Sequence, residues 1–154
     1  MHHEVEVARS RFSPDELREL DALRTVTPWR REPDALVLAL GWADEVDRFD
    51  RERTLPASNN SVRTEHDFIG ALFYRDMAED AIRALPERLA LKVRPYLETG
   101  DQLFLKFTVP DSGASVAVLG NTDVAGRGWW WFRLPIDGPV AEVIRAWGAR
   151  YWSS

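Results

Sequence analysis

Four groups of residues carry side chains that can do chemistry or recognise a partner. The first is the run Trp129-Trp130-Trp131 with Phe132-Arg133-Leu134 behind it. Read as a strand, it alternates between two faces, so Trp130, Phe132 and Leu134 form one row and Trp129, Trp131 and Arg133 the other. With the first row in the core, the second sets two indoles and a guanidinium on an open face, a composition enriched at binding hot spots. The competing reading is that helices cover both faces and all six residues are packing residues, because large aromatics contribute most to cores.

The second group is acidic. Asp44, Asp47 and Asp50 recur at helical spacing, as do Asp76, Glu79 and Asp80. Carboxylates on one helix face can hold a divalent cation or meet a basic partner surface. Arg48, Arg51, Arg75 and Arg83 stand where they can pair with them, which would make the same positions an ordinary solvated face. The third group is His66 between Glu65 and Asp67, able in principle to act as a general base or metal ligand. In the first turn of a helix, where carboxylates complement the dipole, such a histidine is more often a surface residue.

The fourth group, Gly120, Gly126 and Gly128, is glycine-rich like a phosphate loop. Phosphate loops open into a helix, whereas this one leads into a predicted strand and reads as an ordinary connection. There is no G-x-S-x-G or other nucleophile signature. The absence of cysteine excludes disulfides, thiolate metal ligands, a cysteine nucleophile and iron–sulfur clusters. No catalytic residue, metal or cofactor is expected.

The elements that would position these groups are legible from caps and periodicity. Ser13-Pro14-Asp15-Glu16 combines a capping serine, a proline at the first helical position and a glutamate three residues after the cap, predicting a helix over 14–24. Pro33-Asp34 opens a second helix to about Asp50, although Leu36-Val37-Leu38 is also compatible with a short strand. Thr54 to Arg63, rich in Ser, Asn and Pro, reads as the main internal loop. Thr64 and Asp67 cap a long helix whose apolar face is Phe68, Ile69, Leu72, Phe73, Ile82 and Leu85. Glu87 to Glu98 follows as a helix that Pro95 bends or ends.

From Thr99-Gly100-Asp101 onward the period changes. Leu103, Leu105, Phe107 and Val109 alternate with Phe104, Lys106 and Thr108, predicting a strand. Pro110-Asp111-Ser112-Gly113 predicts a turn, Ala114 to Leu119 a returning strand, and Trp129 to Leu134 a third. Asp137-Gly138-Pro139 starts an amphipathic C-terminal helix with Val140, Val143, Ile144, Trp147 and Tyr151 on one face. The expected fold is therefore a single α+β domain over 1–154, a small three-stranded antiparallel meander packed with several helices.

Composition narrows the functional classes. The chain has 154 residues, 45% of them apolar and 29% charged, ordinary globular usage. Its net charge of −5 repels nucleic acid and anionic lipid at long range. Trp29-Arg30-Arg31 and Arg127 to Arg133 interleave aromatic and basic residues as single-strand binders do, but the acidic remainder makes nucleic acid a disfavoured partner. The longest apolar run, Ala35 to Ala43, is about half the ~20 residues a membrane span needs, and the N-terminus lacks the features of a secretory signal. A cytoplasmic protein is expected. Small size, acidity, the missing catalytic set and a Trp/Arg-rich strand beside acidic helices together suggest a non-catalytic protein-binding module. The most concrete form is an acidic bacterial immunity protein or antitoxin that blocks a partner enzyme, with Trp129, Trp131, Arg133, Asp44, Asp47, Asp76 and Asp80 at the contact. The alternative is a small enzyme or ligand-binding protein with a Trp-lined pocket between sheet and helices.

Overall fold

The computed structural model describes residues 2–24, 33–56 and 64–153. The Trp29-Arg30-Arg31 segment, most of the 54–63 loop and the side chain of Tyr151 lie outside the described residues. The elements in chain order are α1 (His2–Arg9), α2 (Pro14–Ala22), α3 (Ala35–Glu52), α4 (Glu65–Arg83), α5 (Glu87–Phe107), β1 (Thr108–Pro110), α6 (Ala114–Leu119), a 3-10 turn (Trp129–Phe132), β2 (Arg133–Pro135) and α7 (Pro139–Ser153).

The capped helices form where their signals lie. In α2 the Glu16 amide donates to the Ser13 hydroxyl at 3.1 Å and the Ser13 amide to the Glu16 carboxylate at 2.8 Å, a reciprocal box that satisfies two otherwise orphaned donors. Thr64 and Asp67 do the same at the start of α4, at 2.8 and 3.2 Å. The predicted face of α4 is buried at Phe68, Ile69, Leu72, Ile82 and Leu85, whereas Phe73 stays 37% exposed. In α7, Val140 and Ile144 are buried, while Trp147 is exposed.

The fold is nevertheless not the α+β meander that the alternation suggests. Seven α-helices dominate the described residues, and the sheet has two antiparallel strands, β1 and β2, with Val109 opposite Leu134. The predicted first strand is mostly the last two turns of α5. Leu89, Val93, Leu97, Phe104 and Phe107 are all buried, and this stripe of threes and fours extends through the segment that also alternates. Pro95 does not end the helix. It sits on the exposed side, and the Thr99 hydroxyl donates to its carbonyl at 3.0 Å one turn later. The predicted second strand is α6, entered through Gly113 at φ +82. In the predicted third strand the three tryptophans coil into a 3-10 turn, closed by the Trp131 amide donating to the Gly128 carbonyl at 3.1 Å, and only Arg133–Pro135 is extended. A Cβ on Gly128 would stand 2.2 Å from the Trp130 ring, so the indole folds back over a position that only glycine leaves open.

Two compact units divide the chain: 1–45 with 74–103, and 46–73 with 104–154. The first has a core of Leu20, Leu36, Leu38, Trp42, Leu89, Val93 and Leu97, and includes α1 and α2. The second is built on Phe49, Phe68, Leu72, Phe104, Phe107, Trp131 and Ile144, and includes the strand pair, α6 and α7. Its aromatic core alternates edge-to-face and stacked pairs: Phe49 on Phe68 at 5.6 Å and Phe104 on Phe107 at 5.9 Å are near perpendicular, and Phe68 and Phe104 between them stack at 6.1 Å.

Candidate functional site

The first unit holds its charges in two different ways. Inside, Arg75 is 2% exposed, and its Nε and an Nη donate to the two oxygens of Asp101, both at 2.8 Å. The Trp42 indole N–H donates to the same Asp101 carboxylate at 2.8 Å. This planar, two-pronged arrangement offsets the cost of burying both charges. Glu79, one turn along α4 from Arg75, accepts from Arg94 at 2.9 Å. Burial alone would push the Glu79 carboxyl up, but the Arg94 hydrogen bond and the charges of Arg75, Arg94 and Arg83 hold it below the usual carboxylate range. Gly100 makes this packing possible, since a Cβ there would lie 2.6 Å from the Trp42 ring and 2.9 Å from the Ala43 Cα. These ionisable groups are therefore engaged with one another, as structural members of the core.

At the surface of the same unit the balance tips to negative. Segments 1–45 and 74–103 contain sixteen acidic and eleven basic residues, and the remaining segments nine of each, so the net charge of −5 belongs to the first unit. Most of its described cations are spent internally: Arg9 on Asp34, Arg18 on Asp15, Arg24 on Asp21, Arg88 on Glu19, Lys92 on Glu16, and Arg83 and Arg94 on Glu79, while Arg11 donates to the Tyr96 hydroxyl at 3.4 Å. Asp44 and Asp80 are exposed. Tyr74, whose hydroxyl occupies the notch left by Gly41, registers the resulting field: burial, with Glu45 and Asp44 adding to it, pushes its phenol up to about 12.

The second unit contains the tryptophan cluster. Trp129 is 40% exposed, with its ring 6.1 Å from Phe104 and 5.8 Å from Trp130. Trp130 and Trp131 are both buried. The Arg127 guanidinium lies 4.8 Å from the Trp131 ring and 5.2 Å from Phe73, and is tied to the Asp123 carbonyl at 3.0 Å and the Thr122 hydroxyl at 3.1 Å. Arg133 serves the strand pair, donating to the Thr108 hydroxyl at 2.8 Å and carbonyl at 2.7 Å.

The two-row division of Trp129 to Leu134 thus fails with the strand it assumed. A 3-10 turn rotates successive side chains by about 120° rather than 180°, so Trp131 goes inward and Trp129 alone of the three is presented to solvent. Of the acidic candidates, Asp47 is in the second unit and pairs with Arg51 at 2.9 Å; Asp44, Asp76 and Asp80 are in the first, with Asp76 half-buried. His66 is 72% exposed beside Glu65. No cluster of three or more metal-ligating side chains occurs among the described residues. A niche in the second unit, lined by Phe49, Arg53, Phe107, Asp137 and Val140, has a volume of about 10 Å³, room for about one water, and no tryptophan lines it.

Sequence reading missed the Trp42–Asp101–Arg75 cluster. The Arg75–Glu79 spacing hints at part of it, but Asp101 is brought in by helix packing across 26 residues, and it falls where the period changes from helical to alternating. No helix among the described residues is long and apolar enough to cross a membrane. Comparison with family models, curated proteins and solved structures gives no match for the chain.

Proposed function

We propose that this chain is a non-catalytic protein-binding module, of the kind represented by acidic bacterial immunity proteins and antitoxins, which acts in the cytoplasm by covering the surface of a basic partner. The observation that carries this reading is the charge division of the first unit: most of its described cations are consumed in internal pairs, while Asp44 and Asp80 remain exposed on a unit that carries the whole net charge. Such a field raises the encounter rate with a positive surface and rejects negative ones. Asp44 and Asp80 are the main acidic contacts in this reading; half-buried Asp76 and Asp47, which pairs with Arg51, contribute less. In the second unit Trp129 is the aromatic contact, packed on Phe104 and Trp130, while Trp131 is buried and Arg133 is bonded to Thr108.

The test is co-expression with the products of neighbouring genes, followed by size-exclusion chromatography and titration of the complex at several salt concentrations. A stable complex with one cognate protein is expected, weakening as salt rises and weakening at least tenfold when Asp44 and Asp80 are both replaced by arginine. Binding that ignores both salt and the double substitution would remove the electrostatic basis, and repeated failure to recover any partner would remove the reading itself.

A further inference from the structure

We draw no further inference here: the strongest candidate, the exposed apolar patch of the second unit centred on Trp129 beside the end of α5, is an unpartnered face, and nothing in the structure shows what chemistry covers it.

Discussion

Arg75 and Asp101 face each other through two parallel 2.8 Å hydrogen bonds while both are almost wholly withdrawn from water. Removing one member leaves a buried charge without its main partner. Asp101→Ala is therefore expected to cost about 3–5 kcal/mol, since it removes both acceptors of the two-pronged contact with the buried guanidinium and the acceptor of the Trp42 indole N–H. Urea denaturation measures this; a loss below about 1 kcal/mol would mean that Arg75 reaches water in the native protein.

The tryptophans separate by depth. Trp131→Ala opens a cavity in the core and removes the face on which Arg127 lies, with an expected cost of about 3–5 kcal/mol. Trp129→Ala, which truncates a ring already 40% exposed, should cost much less and leave the melting curve near that of the parent. Under the proposed function it should weaken the partner complex with the fold intact. Thermal melts of the two variants decide the first point: equal losses would place Trp129 in the core too.

Two helical glycines predict opposite signs for the same substitution. Gly70 in α4 is exposed and has no neighbour within 4 Å of a Cβ, so Gly70→Ala should stabilise by roughly 0.5–1 kcal/mol through backbone entropy. Gly100 in α5 abuts the Trp42 ring and the Ala43 backbone, and Gly100→Ala should destabilise by about 1–3 kcal/mol despite the better propensity of alanine. Calorimetry of the pair checks the contrast, and stabilisation at position 100 would show that the helices around it can move apart.

Tyr74 gives the protein an alkaline limit. Its phenol is raised from 10.0 to about 12, so above pH 10 the unfolded chain loses this proton first. The folded state then binds more protons than the unfolded one, and stability falls with rising pH between about 10 and 12, with no contribution from this group below that window. Tyr74→Phe should flatten that part of the profile. Phenolate absorbance should also lose its latest-titrating component; an unchanged titration would place Tyr74 in water.

The sequence discloses helices where local signals are redundant. At Ser13 to Glu16 and Thr64 to Asp67 the cap, the charge and the apolar spacing all agree, and those helices form. It misleads where two periods coexist. Residues 103–109 alternate and also continue the stripe Leu89–Val93–Leu97, and the longer stripe prevails because it buries Phe104 and Phe107 together. Ala114 to Leu119 is too short and too uniformly apolar to have a period, and three tandem tryptophans have none at all. Among the candidate site residues, helix spacing groups Asp44 with Asp50 and Asp80 with Asp76 and Glu79, but does not set their depth, since Asp44 and Asp80 are exposed and Glu79 is buried. The depth of Trp131 depends on Gly128, which permits a tight turn, and the buried ion cluster depends on partners distant in the chain.

The stacking of Arg127 also bears on how the chain meets proteases. Arg127 follows the exposed Ala125 and Gly126, in the kind of open connection where cleavage after arginine is usual. A trypsin-like enzyme must draw the guanidinium into its own specificity pocket, whereas here that group is committed to the rings of Trp131 and Phe73 and to two oxygen acceptors. The bond after Arg127 is thereby shielded as long as the second unit keeps its aromatic core closed, and its scission becomes a clock for the opening of that core.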